Sequence, residues 1–437
     1  MKLLRRTFLT SCAAPLLSAN LIATAAPSPA VPPVLRDAAE VTPRGGLPNA
    51  LAKLQAGQPV KVGYLGGSIT AAPGWRVKSL KWLQEKFPTA KLTEINAAIG
   101  GTGSDLGVFR VQRDVLDHKP DLMFVEFAVN DGGADPARIQ KCMEGIVRQT
   151  WKVDPTTDIC FVYTLSEPFL KDLKEGKASQ SATAMEGVAD HYQIPSIHFG
   201  VGVASLEKEG KLIFKGEKPT APAKPGDPIL FSGDGVHPHV ETGHELYLQT
   251  IIRAWPVIAE KGAGAKPHAL IAPLRADNWE KAKLVPVTQD MLKGSWTKID
   301  MPTHPIGKGY QQRLPGMWKA TGPDAVLEFE FEGSHVAGYD LVGPDGGQLE
   351  VTVDALPPKK LARIDAHCTY HRLATSLLLT GAPEGRHHVK VQLLAEAPDK
   401  RKILFPKNVP DLEKNPAKYQ DNVWYLGGLL LLGDLVK

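Results

Sequence analysis

Residues 61–70 read Lys-Val-Gly-Tyr-Leu-Gly-Gly-Ser-Ile-Thr. The apolar run at 60–65 predicts a buried strand, and the glycine pair predicts a tight turn directly after it. A helical pattern follows at 75–87, so Ser68 is expected at the carboxyl end of a strand and near the start of a helix. Open α/β sheets bind their substrates at that edge. Ser68 is therefore a candidate nucleophile, provided that the chain also supplies a base and an oxyanion hole.

The alternation of strand and helix patterns continues beyond this turn. Asp135-Pro136 offers an N-cap with proline at the first position of a helix, and Pro256 is expected to end the helical pattern at 241–257. Such alternation predicts a doubly wound, mostly parallel sheet with helices on both faces over residues 58–260. Residues 204–233, with many Gly, Pro and Lys, are expected to form a long loop beside the site. Further strand-like apolar runs lie at 91–96, 121–128, 158–165 and 194–199.

The pattern changes in the C-terminal third. Residues 261–289 are predicted to be a linker, and residues 290–437 an antiparallel β-sandwich, because short β-type runs there are separated by turn signals such as Gly343-Pro-Asp-Gly346. These runs lie at 325–332, 348–353, 373–379 and 388–394.

The N-terminus predicts export. Residues 1–26 have a basic start, an apolar stretch and an Ala-Thr-Ala cleavage site, as in a signal peptide, and residues 27–57 form a leader rich in Pro, Ala and Gly. Arg5-Arg6 resembles a twin-arginine signal, with an ordinary secretory signal as the alternative; Cys12 follows too short an apolar run to favour lipidation. The protein is therefore expected in the periplasm or outside the cell.

Charge and cysteine content exclude several classes of function. The net charge of +4 falls by three to +1 without Lys2, Arg5 and Arg6, which gives no electrostatic reason to expect nucleic acid as a partner. No later segment reaches the roughly 20 apolar residues of a membrane span. Three cysteines remain after cleavage, and their irregular spacing favours buried thiols over a disulfide framework. They are Cys142, Cys160 and Cys368.

A candidate base lies in the stretch Gly233-Asp-Gly-Val-His-Pro-His239, just before the last helix of the α/β region. The spacing of Asp234 and His237 lets the carboxylate orient the imidazole while its other nitrogen faces a serine. Candidate oxyanion donors follow two intermediate strands: the backbone N–H of Gly101 and the side-chain amide of Asn130.

Two other interpretations of these motifs are less favoured. Asp234, His237 and His239 could bind a metal, but no fourth ligand stands out. Gly100-Gly-x-Gly103 could be a phosphate loop, but the full glycine pattern and a Walker lysine are missing. We therefore expect neither a metal nor another cofactor.

Taken together, the motifs resemble the SGNH, or GDSL-type, hydrolases over roughly residues 58–258. Four blocks appear in the family's order: Gly67-Ser68-Ile69-Thr70, the Gly101 turn, Val129-Asn130-Asp131 and Asp234-Gly-Val-His237. The resemblance implies a flavodoxin-like five-stranded sheet, with Ser68 as nucleophile, His237 as base and Asp234 orienting it. It also implies an oxyanion hole formed by Ser68, Gly101 and Asn130.

The chain departs from the family pattern at two positions. Gly67 stands where many members have aspartate, which puts in doubt the hydrogen bonds that an aspartate would make. Ala128 stands where a glycine is usual before x-Asn-Asp, and it alters how the Asn130 turn approaches the site.

The resulting hypothesis is a secreted serine esterase that removes acyl groups, with acetyl favoured, from a carbohydrate. The alternatives are a lipid or small-molecule esterase or an acyltransferase of the same fold, and a carbohydrate-binding protein with a vestigial site. In the C-terminal region a few polar side chains could reach a ligand, although ordinary surface positions are the favoured interpretation: Asp365, His367, Tyr370 and His371.

Overall fold

A computed structural model describes residues 34–217, 224, 226–262 and 264–436. The predicted signal peptide, residues 1–26, lies outside the described residues. The α/β part contains, in chain order, β1 (Val41–Thr42), α1 (Pro48–Gln55), β2 (Val60–Gly66), α2 (Ser68–Ala71), α3 (Trp75–Lys86), β3 (Leu92–Ala98), α4 (Ser104–Asp114), β4 (Leu122–Glu126), α5 (Pro136–Val153), β5 (Asp158–Tyr163), α6 (Leu170–Lys174), α7 (Gln180–Tyr192), β6 (Ser196–His198), α8 (Phe199–Lys208), β7 (Leu212–Lys215), β8 (Ile229–Ser232) and α9 (Gly243–Ala259).

Six of these strands form one sheet in the order β1-β6-β5-β4-β2-β3. The five strands β2 to β6 are parallel, and β1 adds an antiparallel edge. This confirms the predicted mostly parallel, doubly wound sheet, with one strand more than the family resemblance implied. The chain leaves β2 toward β3 on one side and returns to β4 on the other, so a topological switch point lies between β2 and β4. Ligand sites of open α/β sheets occur at such points.

The central strands are buried on both faces, which explains their consecutive apolar residues. In β4, Phe124 packs on one face with Tyr64 and Trp75, whereas Val125 packs on the other face with Leu65. The N-cap of α5 is also as predicted: the Asp135 side chain accepts a hydrogen bond from the N–H of Arg138 at 3.2 Å.

The C-terminal β domain is a ten-stranded antiparallel sheet, which confirms the predicted change to antiparallel β structure. Its elements are β9 (Ala282–Val285), β10 (Leu292–Lys293), β11 (Trp296–Lys298), β12 (Trp318–Ala320), β13 (Val326–Val342), β14 (Gln348–Val353), β15 (Lys359–Ala362), β16 (Arg372–Leu379), β17 (Gly385–Leu393), α10 (Lys400–Ile403), α11 (Val409–Lys414) and β18 (Trp424–Leu435). The long strand β13 organises the sheet by pairing with β10, β16, β17 and β18. Strand β9 belongs to this sheet through β18, although it lies within the predicted linker 261–289.

Two local predictions were wrong. The segment 204–233 is not one long loop, because α8 extends into it and β7 and β8 form a parallel pair. Phe214 and Phe231 stack at 4.6 Å between ring centroids and supply the burial that holds this short pair. Helix α9 also continues past Pro256 to Ala259. A proline removes its own N–H donor and crowds the carbonyl four residues before it, but the Pro256 carbonyl still accepts a hydrogen bond from the N–H of Glu260.

The three cysteines are buried and free, as predicted. Within the described part of the chain, none of the helices is both long enough and apolar enough to cross a membrane.

The C-terminal sheet shares a hydrophobic core with the α/β part. Phe109 of α4 packs against His335 of β13 and against Trp279, with ring centroids 5.7 and 5.5 Å apart. Arg113, one turn further along α4, donates hydrogen bonds to three consecutive backbone carbonyls, at 312, 313 and 314. The described residues from Leu35 onward accordingly form one compact unit.

This shared core predicts a single unfolding transition that depends on Phe109, which is 2% exposed. Phe109→Ala should lower the free energy of unfolding by about 3 kcal/mol or more, because it leaves a cavity between the two parts. It should shift the one transition without splitting it, as followed by calorimetry and circular dichroism. Phe405→Ala is the matched control, because that ring is 42% exposed. Two separate transitions, or an equal loss in both variants, would contradict the shared core.

Candidate active site

The turn after β2 is built around two glycines. A Cβ atom on Gly66 would lie only 2.8 Å from the Glu126 backbone oxygen at the end of β4. A Cβ on Gly67 would overlap Oδ1 of Asn130. The backbone of Gly67 is in the extended region at φ −91°, so the requirement for glycine is one of space. Many members of the family that the sequence resembles have aspartate at this position. Glycine suits this chain because the Asn130 side chain occupies the space beside the turn that a larger residue would need.

Helix α2, a single turn, starts at Ser68 and presents its hydroxyl to the loop after β8. The Ser68 Oγ lies 2.8 Å from Nε2 of His237, and Nδ1 of His237 lies 2.7 Å from Oδ2 of Asp234. Ser68 and His237, which are 169 positions apart in sequence, thus form one hydrogen-bonded chain with Asp234. The structure brings together the serine, histidine and aspartate that the sequence singled out.

Asp234 is held by more than the histidine. Its Oδ1 accepts hydrogen bonds from the backbone N–H groups of Val236 and His237, both at 2.8 Å, and from the Ser232 hydroxyl at 3.0 Å. Burial alone would raise the pKa of Asp234, but the His237 imidazole and these donors outweigh it and lower the pKa below its ordinary value. The carboxylate is therefore ionised and favours the tautomer of His237 whose Nδ1 carries the proton.

With that tautomer, the lone pair on Nε2 of His237 faces the Ser68 hydroxyl. An imidazole so placed can take the hydroxyl proton as the oxygen attacks a carbonyl. The site is open: the side chains of His237 and Asp234 are 51% and 56% exposed.

The candidate oxyanion donors surround the same serine. The N–H of Ser68 belongs to the first position of α2, where a helix offers no internal acceptor. A Cβ on Gly100 would lie 3.5 Å from the Ser68 Cβ, so the turn that contains Gly100 packs directly on Ser68. Gly101 in that turn has φ +75°, a left-handed conformation that favours glycine. Asn130 reaches the site from the end of β4, with its amide against Gly67.

Asp131 connects the turn that carries Asn130 to the turn that carries Gly101. Sequence reasoning did not predict this role. Its buried Oδ1 accepts the N–H of Ser104 at 3.0 Å, which ties the Asn130 turn to the Gly100–Ser104 turn. A Cβ on Gly103 would overlap this same oxygen. Burial raises the pKa of Asp131 to about 7, although hydrogen bonds from Ser104 lower it in part. The one feature of the sequence that could have indicated this role was the position of Asp131 directly after Asn130.

The remaining sequence candidates do not join this cluster. Within the ranges that the structure describes, no group of three His, Cys, Asp or Glu side chains could hold a metal ion. In the C-terminal domain, His371 bonds to Asp345 at 2.7 Å, and Asp365 pairs with Arg372 at 2.7 Å. Both therefore have partners of their own within that domain, and Tyr370 is exposed.

The GDSL-like lipase/acylhydrolase family matches residues 64–246, which include all of the residues in this cluster. No curated protein matches the chain in sequence.

Among solved structures, a two-domain esterase (CEX) active on acetylated mannans is 20% identical, with a TM-score of 0.68. The match covers 91% of this chain and 98% of that one; a second structure of that esterase was co-crystallised with mannopentaose. An acetyl xylan esterase, AlAXEase, is 18% identical and covers 45% of this chain and 99% of its own, with a TM-score of 0.36. The first likeness confirms the order of folds, a parallel α/β sheet followed by an antiparallel β domain.

The contact between Gly67 and Asn130 predicts a coupled loss of activity. Gly67→Ala should displace the Asn130 amide and lower kcat on p-nitrophenyl acetate about a hundredfold, the cost of one oxyanion donor. In an Asn130→Ala background the same change should cost little more, because the displaced group is already gone. Gly133→Ala is the control, since a Cβ there meets nothing within 4 Å. Additive losses in the double variant would show that Gly67 does not act through Asn130.

The raised pKa of Asp131 predicts a pH-dependent stability. The stability that this group contributes is fully present below its unfolded pKa of about 4, and it is lost as the pH rises through about 7. Asp131→Asn keeps an acceptor for Ser104 and removes the ionisation. The variant should therefore gain stability relative to the parent between pH 4 and 8, by on the order of 4 kcal/mol at most. Denaturant unfolding measures this difference, and a constant value across that range would contradict the burial of an ionisable Asp131.

Proposed function

We propose that this ester hydrolase, which over residues 64–246 belongs to the GDSL-like lipase/acylhydrolase family, removes acetyl groups from a carbohydrate with Ser68 as its nucleophile. The observation that carries the role of Ser68 is the chain of two hydrogen bonds, 2.8 and 2.7 Å long, from its Oγ through His237 to Asp234.

In the proposed reaction, Ser68 Oγ attacks the ester carbonyl carbon while Nε2 of His237 takes the hydroxyl proton. Asp234 stabilises the imidazolium that forms. The N–H groups of Ser68 and Gly101 and the amide of Asn130 donate hydrogen bonds to the oxyanion of the tetrahedral intermediate. The carbon–oxygen bond to the sugar then breaks, and the leaving oxygen takes the proton from His237.

The second half of the reaction repeats these roles with water. His237 removes a proton from a water molecule as its oxygen attacks the acetyl-serine carbonyl. When the second tetrahedral intermediate collapses, the bond to Ser68 Oγ breaks, the serine regains its proton from His237, and acetate leaves. All of these steps use groups that already lie in the cluster, and none requires a metal or another cofactor.

The openness of the site supports acetyl as the acyl group and a polymer as its carrier. The His237 and Asp234 side chains are about half exposed, so an ester on a bulky chain can reach them from solvent. A long acyl chain would instead require an apolar channel for its burial.

The carbohydrate class is supported by the likeness in fold to the mannan-active esterase, which extends over both parts of the chain. Export, predicted from the basic and apolar N-terminus, would bring the protein to extracellular glycans, and we propose a periplasmic or extracellular location.

The test compares acyl groups and carriers on the purified protein. We expect acetate release from acetylated mannan or acetylated xylan, together with a preference for p-nitrophenyl acetate over p-nitrophenyl decanoate. Ser68→Ala should lower kcat by about four orders of magnitude or more, with folding unchanged. Faster turnover of the decanoate would indicate a lipid esterase, and transfer of acetyl to an added sugar would indicate an acyltransferase. Activity that survives in Ser68→Ala would remove Ser68 from the proposed role.

A further inference from the structure

A buried carboxyl group lies against the turn that carries the proposed nucleophile. Glu126 is the last residue of β4 and is 1% exposed. It is a charged residue in an otherwise apolar strand, and the reaction described above does not use it. Moving a carboxylate out of water is costly unless hydrogen bonds replace its hydration. Its donors therefore indicate what holds it there.

Four donors surround this carboxyl group. Oε1 accepts a hydrogen bond from the Thr164 hydroxyl at 2.7 Å, and Oε2 accepts one from the Thr70 hydroxyl at 2.8 Å. The backbone N–H groups of Gly67 and Ala128 also face it and lower its pKa against the effect of burial. Both hydroxyls are themselves buried.

These donors come from three different strand ends. Gly67 and Thr70 lie on either side of Ser68, Ala128 precedes Asn130 by two residues, and Thr164 follows β5. One side chain therefore connects the turn that carries the nucleophile to the turn that carries an oxyanion donor, and it connects both to the next strand of the sheet.

We propose that Glu126 is a positioning residue for ester hydrolysis, which fixes the Ser68 turn relative to the Asn130 turn. The inference rests on the proposed role of Ser68 as nucleophile, and it does not depend on which carbohydrate carries the ester. By accepting the Thr70 hydroxyl and lying against the Gly67 N–H, Glu126 fixes both sides of Ser68 and leaves the Ser68 N–H for the oxyanion.

A carboxyl group suits this position because each of its two oxygens can accept one of the hydroxyls while it also faces the two N–H groups. Burial raises the pKa of Glu126, and the four donors oppose that effect. Glutamine has nearly the same shape, but its NH₂ group would face a donor. At least one bond to the two turns would then be lost, while the volume of the core stays unchanged.

The chain provides a matched control at Glu144 of α5. This carboxyl group is also fully buried, and it accepts hydrogen bonds from the Tyr192 hydroxyl at 2.7 Å and from the backbone N–H groups of Leu274 and Arg275 at 2.5 and 2.9 Å. It holds the segment after α9 and has no contact with the Ser68 or Asn130 turns among these bonds. Glu144→Gln therefore disturbs a comparable network elsewhere in the same fold.

The experiment measures the unfolding temperatures of Glu126→Gln and Glu144→Gln. It then measures kcat and KM of both variants with p-nitrophenyl acetate, at a temperature well below both unfolding transitions. We expect both variants to lose stability. Glu126→Gln should lower kcat ten- to a hundredfold with KM within about threefold of the parent, because small displacements of reacting groups act on the transition state. Glu144→Gln should keep kcat within twofold.

Two results would overturn the inference: a kcat of Glu126→Gln within twofold of the parent, or an equal loss in Glu144→Gln. If Glu126→Gln does not fold, Thr164→Val decides the question by the same criteria, since it removes one donor to Oε1 without touching the turns. Ser68→Ala in the same series keeps the proposals separate. An active Ser68→Ala contradicts the proposed function, whereas an inactive one beside an unaffected Glu126→Gln contradicts the role of Glu126 alone.

Discussion

The site depends on how closely the backbone after β2 approaches the end of β4. Parallel neighbours at a switch point bring their carboxyl ends together, but ordinary side chains at 66 and 67 would keep the two turns apart. Two glycines remove that obstacle. Asn130 then packs against Gly67, and Glu126 accepts a hydrogen bond from the Thr70 hydroxyl on the other side of Ser68. The proposed nucleophile and a proposed oxyanion donor are therefore held by the same short contact.

Features that are local in sequence could be predicted, and features that depend on packing could not. The parallel sheet followed from consecutive apolar runs between helical patterns, because burial on both faces leaves no other composition for a strand. Ser68, Asp234 and His237 were proposed together because each lies after a strand, in an order that could form a hydrogen-bonded chain. The pairing of β7 with β8 was missed because four-residue strands carry too few positions for a periodic signal. Its stability comes from Phe214 meeting Phe231, 17 residues apart.

Glu126 and Asp131 show the same limit at the site. A glutamate in the run Met123-Phe-Val-Glu126 carries no signal in sequence about which donors will reach it. Those donors come from residues 67, 70, 128 and 164. Similarly, Asp131 follows a motif asparagine, but its partner is the N–H of Ser104, whose position depends on the start of α4. The sequence identifies groups that can react, whereas the groups that fix their positions emerge from the packing of neighbouring strand ends.

The core shared by Phe109, Trp279 and His335 bears on how such two-part enzymes can be recombined. A domain joined by a free linker can be exchanged between proteins as a module, because its neighbour never loses a buried surface. Here the β domain covers apolar side chains of α4. Arg113 at the end of that helix donates hydrogen bonds to the backbone of the segment that leads into β12. A chimera that replaced only the β domain would need a matching surface on α4, so the two parts are expected to change together in evolution and in engineering.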